Sequence, residues 1–197
     1  MANVDKPKGL VPVQYMNGTT WSGKFNVYYL PATDDNDIFV GDPLAHGGGA
    51  DTSGKFPTAT IATVGTGNLI LGVAIGFGPT PYIMADLDNL NRRYRPASTA
   101  MYVAVVDDPN VIFEIQEVSA GTALTAAAVG NNAPVVIGTG NTTTGISGAE
   151  INNAGEVATT EQLRILRLAP HEDNALGEHA KWWVLINEHQ YKSTAGA

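Results

Sequence analysis

Cysteine is absent from the 197 residues. Disulfides, a thiolate nucleophile, zinc–thiolate sites and iron–sulfur clusters are thereby excluded together, and stability must come from packing or from partners. Positive charge is scarce. Lys and Arg number 11 against 19 Asp and Glu, for a formal net charge of −8. So few cations give no broad footprint for phosphate backbones, and nucleic acid is not an expected partner. Long apolar runs are also missing. The longest, LILGVAIGFG at 69–78, falls far short of the roughly 20 residues needed to cross a bilayer. The opening MANVDKPKGL has no apolar h-region, so neither a membrane partner nor a secretory signal is expected.

Helix formers such as Glu, Lys and Leu are sparse, whereas Gly (22) and Pro (11) are plentiful and Val, Ile, Thr and aromatics fill the apolar positions. That is the chemistry of strands and turns. Nine short apolar runs follow one another between Gly, Pro, Asn or Asp: 24–30, 37–40, 58–64, 69–76, 101–106, 111–116, 133–138, 162–168 and 181–187. The expected class is mainly β, a sandwich or barrel-like (β-tulip-like) body of about nine short strands. Residues 1–20 read as an extended N-terminal arm and 21–197 as the β-rich body. Two long connections, 78–99 and 138–161, are expected to carry contacts rather than core. The one helical signal is TALTAAAVG at 122–130, with Thr122 as N-cap and Gly130 beyond the last turn.

The adjacent carboxylates Asp107 and Asp108 suggest an acid/base pair. The spacing favours a turn: DDPN puts Asp108 at the first position, Pro109 at the second and Asn110 at the third, between alternating runs that suit a hairpin. Segments 18–24 and 49–55 match the phosphate-binding loop except at the last position, where Phe25 and Phe56 replace the magnesium-holding hydroxyl and strand-like runs follow. A serine hydrolase is suggested by HGGG at 46–49 and by GISGA at 145–149, with Ser147 central and Asp173 then His179 or His189 downstream. Ser147, however, lacks an apolar strand before it and a helix after it, and Ala149 replaces the closing glycine. No catalytic residue is assigned. His171, Glu172, Asp173, Glu178 and His179 crowd nine residues, but the histidines lie eight apart in a turn-rich stretch, so no metal or other cofactor is assigned.

Signs of a protein partner are clearer. Trp182 and Trp183 are adjacent on a strand, so their side chains point to opposite faces. Either one of them meets a partner or a loop layer, or the strand is covered on both faces within the chain. Arg92, Arg93 and Arg95 surround Tyr94 in NRRYRPAS, a cationic exception in an acidic chain; they read either as a solvated loop edge partly neutralised by Asp86 and Asp88 or, the reading favoured, as a docking loop. The candidate contact residues are Pro7, Leu10, Pro12, Trp21, Arg92, Arg93, Tyr94, Arg95 and Trp183.

A collinear set of segments carries a resemblance: GLVPVQYMNG near the start, FVGDPL at 39–44, LGVAIGF at 71–77, YRPAST at 94–99, VVDDPNVIFEIQ at 105–116, GISGAE at 145–150, EDNALG at 172–177 and VLINEHQY at 184–191. In this respect the chain resembles the head decoration, or cement, proteins of tailed bacteriophages. The resemblance implies a non-enzymatic virion protein, made in the host cytoplasm, that binds the outer capsid surface and clamps neighbouring subunits of the major capsid protein. It also implies a homo-oligomer, a trimer by family analogy. The arm should then be removable without unfolding the body. The other expectation in view is a glycan- or receptor-binding module of a phage tail or fibre.

Overall fold

The computed structural model describes residues 3–84 and 93–193. The described residues form twelve strands: β1 (Val11–Tyr15), β2 (Asn26–Leu30), β3 (Pro43–Ala50), β4 (Pro57–Ile61), β5 (Gly72–Gly78), β6 (Met101–Val106), β7 (Val111–Gln116), β8 (Asn132–Ala133), β9 (Val135–Asn141), β10 (Ile146–Ile151), β11 (Leu163–Leu168) and β12 (Lys181–Ile186). They form a closed barrel, β2-β4-β3-β5-β6, a five-stranded sheet, β1-β7-β12-β11-β8, and a two-stranded ribbon of β9 and β10. The mainly-β expectation holds, with barrel and sheet both present.

Two cores explain the strand sequences. Leu30, Leu44, Leu71, Val103 and Val105 fill the barrel interior. Ala62, Ile70, Val73 and Val106 on the barrel's outside pack with Phe113, Ile115, Trp182, Val184 and Ile186 of the sheet in a second core. Strand β6 is therefore covered on both sides, which is why MYVAVV runs apolar without alternation. Strand β10 joins the two halves: Ile146 bridges Val40 on the barrel side, and Ile151 bridges Glu117 beside the sheet.

Several expectations change. Segment 37–40 contributes only isolated bridges, at Ile38 and Val40. Strand β1 lies in the stretch read as arm and β10 in the long connection 138–161, while β3 contains the HGGG weighed and set aside as an oxyanion loop; glycine and proline obscured their alternation. The helical signal yields one 3-10 turn, Ala126–Ala128, capped by Thr125 rather than Thr122; an isolated two-turn helix is marginal in water.

The DDPN turn is present. The Asp108 carbonyl accepts from the Val111 N–H at 3.1 Å, and Asp108 Oδ1 accepts from the Asn110 N–H at 2.8 Å. It does not close a hairpin. Its flanking strands pair elsewhere, β6 with β2 and β5, β7 with β1 and β12. The turn carries the chain from barrel to sheet.

The N-terminal segment is extended but not a free arm. Strand β1 pairs antiparallel with β7, and Leu10 is 1% exposed within the shared core. Gly9 and Gly41, both at positive φ, touch backbone to backbone where the segment passes the stretch just before β3. A Cβ on Gly9 would lie 2.3 Å from the Gly41 carbonyl oxygen. Removing residues 1–20 would strip an edge strand and a core leucine, so the body would not survive intact.

Candidate interaction surface

Strand β12 separates its two tryptophans as alternation requires. Trp182, Val184 and Ile186 are buried against the barrel side. Trp183 stands half-buried on the opposite, outer face of the sheet. The Arg167 guanidinium lies 4.1 Å from the centre of its ring, and its indole N–H donates to Glu114 Oε2 at 3.2 Å. His171 Nε2 lies 2.6 Å from the same oxygen. Strand register assembles this group: Trp183 pairs with Glu114 on one side and Arg167 on the other, and Glu114 pairs with Val11 of β1. The outer face is thus an aromatic ring held flat between a cation and a carboxylate, beside half-buried Leu185 and partly exposed Val11. It is a platform of the kind that anchors protein contacts.

Above one end of this face the N-terminal segment is tied down. Asn3 Nδ2 donates to the Ala175 and Glu178 carbonyls at 2.8 and 2.9 Å. The Lys6 N–H donates to Gln116 Oε1 at 3.1 Å. Gln116 Nε2 then faces Asp5 Oδ1 at 3.1 Å, Glu150 Oε1 at 3.0 Å and His179 Nδ1 at 3.3 Å. Ligand atoms of Asp5, Glu150 and His179 lie within 4.8 Å of one another. The amide nitrogen sits among all three, oriented by the Lys6 N–H, and holds the place a cation would take. Burial raises the Glu150 pKa, with the Asp5 charge adding to that rise and the Gln116 bond opposing it. The acidic stretch 171–179 disperses: His171 turns to Glu114, while His179 turns to Gln116 and Asp5.

The arginine loop divides. Arg92 lies outside the described residues. Arg93 is exposed, its backbone resting on Gly145, where a Cβ would meet the Arg93 carbonyl oxygen at 2.3 Å. Tyr94 stacks on Phe39 at 4.9 Å and 13°. Arg95 is fully buried and is a structural residue. Its Nε donates to the Thr99 carbonyl at 2.8 Å, Nη1 to the Asn36 carbonyl at 2.6 Å, and Nη2 to the Pro31 and Asp34 carbonyls at 2.6 and 2.9 Å. Burial alone would lower its pKa, and the nearby Asp34 opposes this. Leu10 and Arg95 therefore leave the set of contact residues, because the chain's own core consumes them. Pro7 and Pro12 are half-buried, Pro12 within β1 opposite Phe113. Trp21 is half-buried, its N–H donating to the Val13 carbonyl and its indole to the Lys24 carbonyl.

The other chemical candidates resolve into structure. Ser147 is 2% exposed and donates to Asp42 Oδ1 at 2.5 Å; its Oγ accepts from the Ala149 N–H. Its side-chain partners among the described residues include no histidine. HGGG lies in β3, and its hairpin loop to β4 folds around Asp51, which accepts from Ser53, Lys55 and Phe56. Asp107 is buried and accepts from Asn26 Nδ2 at 2.9 Å and from Tyr28 Oη at 2.6 Å. Burial first, then the Asp107 bond, pushes the Tyr28 pKa well up, so the phenol stays protonated.

Sequence reading named Trp183 but missed Arg167, Glu114, Gln116 and the lysines described below. Alternation in VIFEIQ and KWWVLIN places Glu114, Gln116, Lys181 and Trp183 on outward positions of their own strands. Only the pairing of β7 with β12 makes them neighbours. Comparison of the chain with family models, with curated proteins and with solved structures finds no match.

Proposed function

We propose that this chain is a capsid decoration protein, a structural component that binds the outside of an assembled phage head and stabilises it by clamping neighbouring coat subunits. The observation that carries the reading is the outer face around Trp183, a large aromatic ring only half-buried yet fixed in place by Arg167 and Glu114. Rings pre-positioned in this way lose little side-chain entropy on docking, and Trp and Arg dominate the energetics of protein contacts. The collinear resemblance to phage cement proteins points the same way and names the coat lattice as partner. A protein that binds the closed shell and not its free subunits stabilises that shell by mass action. A homo-oligomer fits this role, since repeated copies engage several coat subunits at once.

The test is co-sedimentation of the purified chain with heads stripped of it, from the phage that encodes it. The expected result is saturable binding by the parent chain, weakened about tenfold or more by Trp183→Ala with an unchanged circular dichroism spectrum. A parent chain that stays in the supernatant overturns the proposal. Density on tails or fibres instead of heads in particle images assigns the face to receptor or glycan binding.

A further inference from the structure

Charge is distributed unevenly at the N-terminal segment. The chain contains six lysines, and three of them, Lys6, Lys8 and Lys181, line one cavity of about 450 Å³ together with Asn3, Asn174 and His179. The same three lysines border the adjoining cleft towards Val11 and Glu114. One carboxylate, Asp173, lines the larger cavity. Against a formal charge of −8 for the whole chain, half of its lysines gather here, with Glu114 in the adjoining lining and Asp5 beside His179. Among the described residues none of the three ammonium groups has an ion pair.

The groove is fixed rather than incidental. Lys181 begins β12 opposite Gln116, and Asn174 fastens its backbone from both sides, donating to the Lys181 carbonyl and accepting from the Lys181 N–H, each at 2.9 Å. Lys6 is fastened through its N–H to Gln116. Lys8 is fastened by the neighbouring Gly9–Gly41 crossing. The wall amides of Asn3 and Asn174 are spent on backbone partners, so the free donors facing an occupant are the lysine ammoniums. Exposed apolar side chains accompany the charges: Val4 in the cavity wall is 72% exposed, Val11 in the cleft wall is 39% exposed, and Leu176, in the turn that Asn3 grips, is 50% exposed.

We infer that this groove is a docking site for an acidic peptide segment of a protein partner, whose carboxylates meet Lys6, Lys8 and Lys181 while its apolar side chains cover Val4, Val11 and Leu176. A phosphate-rich ligand would have no use for the apolar side chains beside the groove. Acidic side chains alternating with apolar ones match both features. The inference rests on the partner-gripping reading above only in taking the occupant to be protein.

The experiment uses the full chain and no heads, so its failure leaves head binding untouched. A fluorescein-labelled hexapeptide of alternating glutamate and leucine is titrated with the protein and followed by anisotropy. Binding is expected at low ionic strength and should weaken several-fold at physiological salt, where the Debye length is about 8 Å. In the Lys6→Gln/Lys8→Gln/Lys181→Gln variant it should weaken about tenfold, with Tm unchanged because the ammoniums carry no ion pair among the described residues. A parent chain that does not bind the peptide overturns the inference. So does a triple variant that binds equally well, or inorganic polyphosphate that displaces the peptide more effectively than unlabelled peptide does.

Discussion

The barrel and the five-stranded sheet use similar strands to opposite ends. In the barrel every strand has two neighbours and no edge is left open, so its interior is sealed; its exterior is partly core shared with the sheet and partly a surface where Tyr29, Tyr102 and Phe56 meet ring against ring. Its buried polar groups serve closure: Arg95 gathers the carbonyls of the 31–36 loop, and Asp42 holds Ser147 and the Phe39 N–H. The sheet has two edges and one face turned away from the barrel. There the polar groups are half-exposed and ring an aromatic, as Arg167 and Glu114 ring Trp183. A closed surface gives stability and little else; an open face needs charged escorts to remain soluble and is then free to bind.

The largest expected effect comes from emptying the shared core. Trp182 is fully buried, its indole N–H donating to Glu117 Oε1. Trp182→Ala should cost ~3–5 kcal/mol, read as a lower urea midpoint. Because barrel and sheet residues share that core, one cooperative transition should shift as a whole. Two separate transitions would mean the halves fold independently and would break the comparison.

Next is the barrel's own seal. Arg95→Ala leaves four carbonyls and Asp34 without their guanidinium and should cost ~3 kcal/mol. Arg95→Lys should recover only part of this, since an ammonium lacks the fork that reaches carbonyls on both sides. Full recovery would show that charge, not geometry, closes the loop.

Smallest in the parent chain, because two terms oppose, is the response to pH. Burial raises the Asp42 pKa to about 6, against the opposing bonds from Ser147 and Phe39. Asp42 therefore favours the folded state most when protonated, below its unfolded value, and that contribution is lost as pH rises through about 6. His189, just past β12 where its backbone bridges Ile70, is buried with Nδ1 accepting from the Tyr191 N–H. Burial, with Lys192 nearby, lowers its pKa to about 4. Its contribution is complete above the unfolded value of about 6.5 and is lost as pH falls through about 4. Each amounts to roughly 2–3 kcal/mol. Asp42→Asn should make urea midpoints fall more steeply between about pH 6.5 and 4 than in the parent, and His189→Asn should make them rise relative to it. Identical slopes in all three proteins would remove the opposition.

Much of the architecture was legible because it depends on local chemistry. The apolar runs at 101–106, 111–116, 162–168 and 181–187 became strands β6, β7, β11 and β12 with nearly those limits, and Asp108 made the turn its spacing implied. The failures share a cause. In β3, Gly48 and Gly49 of HGGG take positive φ where the register with β4 breaks, and in GISGA Gly145 and Gly148 meet the backbone of Arg93 and Thr139; a linear reading takes both stretches for loop. The arginine cluster looked uniform in sequence, yet Arg93 faces solvent and Arg95 none of it, because the 31–36 loop happens to fold over one and not the other.

The sequence by itself determined that the chain is β-rich, without thiol chemistry, with the two tryptophans on opposite sides of a strand, since composition and a period of two act within a few residues. Only the tertiary structure decided that β1 belongs to the sheet, that Trp183 meets Arg167 and Glu114, and that Lys6, Lys8 and Lys181 converge. These outcomes depend on which strands pair and in what register, and such pairing is fixed by contacts between residues up to 175 positions apart, which no local pattern encodes.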